Sequence, residues 1–237
     1  HLSLRRQRQM CIRDRINKVI TQLKIGGTTE KDANKISERL YKSLKNGCLD
    51  LSKCQISDEI LIQILPLLSV LNIKKLNLSW NNIGPEGAIA LAKALETNTS
   101  LTELNLRNNQ IGDEGAIAVA IALKTNTSLK ELDLYNNQLA SAGAKALAEM
   151  LKINKSITKL NLGNNKIETE GATALAKTLE KNTTLIHLDL SDNDLGDELN
   201  SEIEKELEIN SKIAEFKTKY KKQFIALRIQ ISRIAIH

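Results

Sequence analysis

The stretch LTELNLRNNQIGDEGAIAVAIALKTNTS, residues 101–128, is followed without a gap by LKELDLYNNQLASAGAKALAEMLKINKS, residues 129–156. The two align position for position over 28 residues. Working outward, Ile73–Ser100, Ile157–Thr184 and Leu185–Lys212 fall into the same register, and a degenerate 27-residue unit, Asn46–Asn72, precedes them. A fixed period in this range denotes a stacked solenoid, because each unit can bury its apolar face only against its neighbours. Six repeats therefore occupy residues 46–212.

Each unit opens on a short alternation such as Leu104 and Leu106 between polar neighbours, which predicts a strand with one buried face. A further apolar position (Ile83, Ile111, Leu139, Ile167, Leu195) turns back into the same core. Between them stand Asn81, Asn109, Asn137, Asn165 and Asn193. An amide at that place can bond the turn and the adjacent unit, so the five are expected to form a buried structural ladder. The second half of each unit carries apolar residues at helical spacing, as in Ala88, Leu91, Ala92 and Leu95. Gly87, Gly115, Gly143 and Gly171 share one register and are read as tight helix entries; Ile60 and Leu199 replace them in the end units, as caps allow. The fold class expected is an α/β leucine-rich-repeat solenoid, a horseshoe arc with a parallel concave sheet, outer helices and helical ends.

The LxxLxLxxN strand and turn followed by GAxALAxxL resembles the ribonuclease-inhibitor type of leucine-rich repeat, as in NOD-like receptors and Ran GTPase-activating proteins. The chain departs from the ribonuclease inhibitor in its ladder, where only Cys54 stands among the asparagines. The function favoured is a non-catalytic protein interaction scaffold that binds its partner on the concave face. The alternative, by resemblance alone, is a GTPase-activating protein of the Ran type acting on a small GTPase; no residue here matches a catalytic motif for it.

The composition narrows the choice further. Aromatic residues make up only 3% of the 237, which excludes aromatic nucleic-acid platforms, and no specific nucleic-acid recognition is predicted. His187 is the one internal histidine, beside His1 and His237 at the ends, so neither a hydrolytic triad nor a zinc set can be assembled, and no metal or cofactor is expected. Three cysteines (Cys11, Cys48, Cys54), without a signal-peptide pattern after the basic start, point to a reducing, cytoplasmic setting. The chain begins with His, as a fragment would, and RRQRQMCIRDR resembles a translated sequencing adaptor, so residues 1–15 are given little weight. Asn98, Asn126, Asn154 and Asn182 form sequons, but their identical register reads as helix C-terminal Asn entering a turn.

Residues flanking the strand leucines are read as free to vary on the concave face. They form the columns Cys48, Lys75, Glu103, Glu131, Lys159, His187; Asp50, Asn77, Asn105, Asp133, Asn161, Asp189; and Ser52, Ser79, Arg107, Tyr135, Gly163, Ser191. Trp80, Arg107 and Tyr135, on consecutive units, are the types enriched at interface hot spots. They predict a docking patch for a protein partner of unknown identity, with Glu103 and Glu131 selecting a basic group and Lys159 and His187 extending the surface.

Charge divides by region. Residues 1–45 hold 12 Lys or Arg against 4 Asp or Glu, residues 46–211 hold 15 against 23, and residues 212–237 hold 7 against 1. The basic N-terminal region is expected to carry a capping helix over 28–45 and another helix bearing Ile12, Ile16, Val19, Ile20 and Leu23. Residues 213–237 read as a basic amphipathic helix on Ile213, Phe216, Tyr220, Phe224, Leu227, Ile231 and Ile234, with an ambiguous, strand-like end. A cap or helical partner site is the preferred role of that tail; contact with an anionic membrane surface and charge-driven nucleic-acid binding are the other two.

Overall fold

A computed structural model describes residues 2–25, 28–193 and 195–234. Two helices, α1 (Leu2–Ile25) and α2 (Glu30–Asn46), precede the repeats. The strands β1 (Cys48–Asp50), β2 (Lys75–Asn77), β3 (Glu103–Asn105), β4 (Glu131–Asp133), β5 (Lys159–Asn161) and β6 (His187–Asp189) form one parallel sheet in chain order. Helices α5 (Pro85–Thr97), α6 (Gly112–Leu123), α7 (Ser141–Ile153) and α8 (Thr169–Leu179) return each chain from one strand to the next. In the first unit Pro66 splits the helix into α3 (Asp58–Ile64) and α4 (Pro66–Leu71), since its ring cannot continue a helical ladder. After β6 a single helix, α9, runs over Asp197–Ile234. These features make the chain a leucine-rich-repeat α/β solenoid.

Strand register follows the repeat: Leu76, Leu104, Leu132 and Leu160 are mutual partners across β2 to β5, and all are buried. Behind them the predicted asparagine ladder is in place. Asn109 donates through Nδ2 to Leu78 O of the preceding unit at 3.0 Å and to Leu106 O of its own at 2.8 Å, and its Oδ1 accepts from Ile83 N at 3.1 Å. Asn81, Asn165 and Asn193 repeat the pattern. One rung departs: Gly112, in the left-handed region at φ 62°, donates to the carbonyl of Asn137 and leaves Asn137 Oδ1 without a partner.

The sequon asparagines build a second ladder on the helical side. Asn154 Nδ2 donates to Leu123 O at 2.7 Å and Asn126 O at 3.0 Å, while its Oδ1 accepts from Ser156 N at 2.7 Å and Ile157 N at 2.8 Å. Asn126 and Asn182 act alike, and all three are buried, so none offers its amide to a glycan. Asn210 completes the series from inside α9, donating to Asn182 O at 2.6 Å and Leu185 O at 2.9 Å.

The recurring glycines have a different cause from a tight entry. None of the four has a positive φ; each is where successive helices approach most closely. A Cβ on Gly115 would lie 2.8 Å from Ala88 Cβ, and one on Gly143 would lie 2.7 Å from Asp113 Oδ1. That carboxylate accepts from Ala140 N and Gly143 N, both at 2.8 Å, and so caps α7 from the preceding repeat. Asp58 does the same at Gly84 N, 2.7 Å.

Both ends of the stack are closed by helices. Thr29 caps α2 by accepting from Asp32 N, and Gly47 ends it at φ 68°. From α2, Arg39 donates to the β1 edge at Asp50 O (2.9 Å) and Ser52 O (2.8 Å), and Lys35 to Lys53 O. This occupies carbonyls that an open edge strand would expose. Ile16, Leu23, Ile36 and Leu40 are fully buried beneath. At the far end Ile203 of α9 is buried, but the boundary expected at residue 212 falls inside α9, which runs on unbroken. The strand-like segment after Phe224 is helical as far as Ile234.

Replacing Asn154 with Ala strands two carbonyls and two N–H groups in the interior. The loss expected in urea unfolding is about 3 kcal/mol; a loss under about 1 kcal/mol would remove the ladder as a principal support.

Candidate partner-binding site

The exposed face of the sheet holds a depression of about 400 Å³ lined by the first two columns, from Cys48 to His187 and from Asp50 to Asn161. Its first row is internally paired. Lys75 Nζ lies 2.7 Å from Glu103 Oε1 and Lys159 Nζ lies 2.8 Å from Glu131 Oε1. Glu103 and Glu131 are register partners on neighbouring strands, so each turns outward to its own lysine. His187 is exposed at the last strand, next to Lys159.

The second column is spent locally, contrary to its expected freedom. In all six units the Asp or Asn Oδ1 accepts the N–H two residues on: Asp50 from Ser52, Asn77 from Ser79, Asn105 from Arg107, Asp133 from Tyr135, Asn161 from Gly163, Asp189 from Ser191. A short side chain with an acceptor closes such a turn, which favours Asp and Asn in this column. Burial pushes the Asp133 carboxyl above its ordinary value, against the lowering effect of the Tyr135 N–H and Arg107. At Asp50 burial also raises it, but the bonds from Ser52 and the charge of Arg39 prevail and hold it below.

Beyond the strands the chain turns through the left-handed region in every unit, at Lys53 (φ 54°), Trp80 (58°), Asn108 (55°), Asn136 (52°), Asn164 (49°) and Asp192 (58°). Asn and Asp tolerate this geometry; a Trp does not, and its strain there is about 1–2 kcal/mol. Trp80 is nevertheless 56% exposed. Its ring lies 5.3 Å from Lys53 Nζ, the residue at the same place one unit earlier.

Arg107 and Tyr135 meet across neighbouring repeats. The guanidinium carbon stands 3.6 Å from the Tyr135 ring centre, a cation–π stack. The Tyr135 hydroxyl lies 3.3 Å from Asp192 Oδ2, two repeats on. Gly163 makes the crossing possible, because a Cβ there would sit 2.9 Å from Tyr135 Cδ2. Trp80 does not join this stack by its side chain; its N–H donates to Arg107 O at 2.9 Å. The patch therefore has two cation–aromatic pairs, Lys53 with Trp80 and Arg107 with Tyr135.

Lys53 and Asp192 escape a reading of the strand columns, and Gly163 stands in the third column without its role showing there. Their signal is positional: Lys53 and Asp192 share Trp80's register, and Gly163 is the one residue without a side chain in its column. Among the described residues no group of three or more His, Cys, Asp or Glu is placed to hold a metal ion.

The model of the TMOD/LMOD leucine-rich domain matches residues 109–236, more than half of the chain. The chain belongs to the TMOD/LMOD leucine-rich-domain family. A leucine-rich repeat model also matches residues 48–65, 71–92 and 97–120, so the resemblance drawn from the motif holds at the level of the repeat. No curated protein matches. A solved structure titled Leiomodin-1 Actin-Binding Site 2 shares the fold, with a TM-score of 0.59 and 23% identity over 80% of this chain and 97% of that one.

Two substitutions test the site's energetics. Trp80→Asn is expected to raise stability by about 1 kcal/mol in urea unfolding, because the new residue accepts the left-handed turn; an unchanged midpoint would mean that the ring repays its strain. A raised carboxyl favours the fold fully below its unfolded pKa, and that contribution is lost as pH rises through the folded value. Asp133→Asn keeps the turn acceptor without the charge. It is expected to raise the urea midpoint at about pH 7 and leave it unchanged at about pH 3.

Proposed function

We propose that the chain is a protein interaction scaffold that docks a partner along the concave sheet face and the rim above β2 to β4. The observation that carries this reading is Trp80: a large ring kept exposed in a backbone geometry that disfavours it, where four of the other five repeats have Asn or Asp and the first has Lys53. Strain retained at an exposed aromatic is the pattern of a recognition residue. The Arg107–Tyr135 stack supplies a second rigid anchor one repeat away. Locking both cations against rings before binding lowers the side-chain entropy lost on docking. Glu103 and Glu131 are already satisfied by Lys75 and Lys159, so they contribute to selectivity by exchanging partners, with Lys159 and His187 at the far end of the row.

Family membership and the leiomodin title support a cytoskeletal partner, and actin is the first to test. The full chain is expected to bind actin, measured by co-sedimentation and by fluorescence titration. Trp80→Asn combined with Tyr135→Ala should weaken binding at least tenfold, about 1.4 kcal/mol or more, although the first of these stabilises the fold. Undiminished binding by the double variant would place the interface elsewhere; no binding by the unaltered chain would remove actin.

A further inference from the structure

The second half of α9 carries an apolar stripe that the fold does not use. Toward the last repeat, near Ile186, α9 presents Ser211, Ala214, Glu215, Thr218 and Lys219. Phe216 and Tyr220 lie on the other side, 59% and 54% exposed, with ring centres 4.2 Å apart. A capping helix would turn its rings inward; this one turns small, polar and charged residues toward the repeat and no ring. The cap is the preceding segment, where Ile203 and Asn210 are buried. In the sequence the stripe continues at Phe224, Leu227, Ile231 and Ile234, and α9 extends that far. The side chains after Tyr220 lie outside the described residues. At 3.6 residues per turn the seven apolar positions from Ile213 onward fall within an arc of about 80°.

Cations flank that arc. By helical position Lys217, Lys221 and Arg228 follow one margin and Lys219 the other, and Lys217 and Lys219 are exposed. Glu215 is the single acidic residue of 212–237. Two copies of such a helix would place like charges along both margins of a seam in either orientation, which opposes self-pairing. Phosphate recognition alone has no use for seven large apolar residues on one stripe. An apolar sector bordered by lysines suits a surface whose interior takes the rings and whose headgroups are negative, with the lysine stems reaching outward. Among the described residues no helix is long and apolar enough to cross a bilayer, so such contact is in the plane of the surface.

We propose that residues 213–234 of α9 form a peripheral membrane anchor that lies on anionic lipid surfaces, with Phe216 and Tyr220 inserted and Lys217 and Lys219 at the headgroups. The full chain is incubated with vesicles of phosphatidylcholine alone or with about one third phosphatidylserine, at low and high salt, and bound protein is measured by flotation. Binding to the anionic vesicles, weakened by salt and absent from the neutral ones, is the expected result. Phe216→Ala with Tyr220→Ala should reduce partitioning about tenfold or more, and Lys217→Gln with Lys219→Gln by a similar factor. Both pairs are exposed, and the thermal unfolding of the solenoid is expected to stay unchanged. No binding to anionic vesicles, or equal binding by the aromatic variant and the unaltered chain, overturns the proposal. So does saturable binding to polyglutamate without vesicle binding, which would assign the tail to an acidic protein partner.

Discussion

The structure depends on the side-chain amide of asparagine bridging one repeat to the next. A three-residue strand and a helix of about three turns bury little on their own, and their turns leave carbonyls and N–H groups facing the neighbouring unit. An amide has a double donor and an acceptor on one short stem, which is what two facing turns lack. Two such ladders run through the stack, one behind the sheet at Asn81 to Asn193 and one at the helix ends from Asn126 to Asn210. Between them, leucine and alanine fill the interior at fixed positions. The pairing is buried on both sides, so each rung costs its full desolvation when broken.

That constraint explains which parts of the molecule could be read from the sequence. The period of 28, the strand leucines and the inner ladder are legible because each repeats with its chemistry intact. The cap α2 is legible because Thr29 and Gly47 are ordinary helix ends. The outer ladder is legible as structural from the identical register of Asn98 to Asn182, but its bonds to the preceding unit and its last rung, Asn210, appear only in the structure. The glycines illustrate the opposite difficulty. A register position with no side chain can mean a strained backbone or a close neighbour, and only the distance from Gly115 to Ala88 separates the two.

The candidate site was half legible. Trp80, Arg107 and Tyr135 stand out by residue type, and Arg107 does stack on Tyr135. Their partners did not stand out, because Lys53 and Asp192 become informative only when a left-handed turn recurs at their place in every unit. The Asp and Asn column was misleading in a different way. It faces the open surface, yet each residue is held by its own turn, so accessibility did not mean availability. The ion pairs of Glu103 and Glu131 belong to the sheet's lateral spacing, which brings side chains of neighbouring repeats within reach however far apart they are in sequence.

A stack whose units touch only their neighbours loses order from its ends. Here one end is not a simple cap. The same helix that closes the last repeat through Asn210 runs on for a further 24 residues, to Ile234, about 36 Å at the helical rise. A rigid rod rooted in a hydrogen-bonded wall is a lever. A load carried by its outer half reaches the stack through buried Ile203 and through Asn210, whose one amide holds a carbonyl of each of the last two repeats, Asn182 O and Leu185 O. Tension on the tail therefore loads the junction of the last two repeats first, at the far end of the sheet from β2 and the turn that bears Trp80.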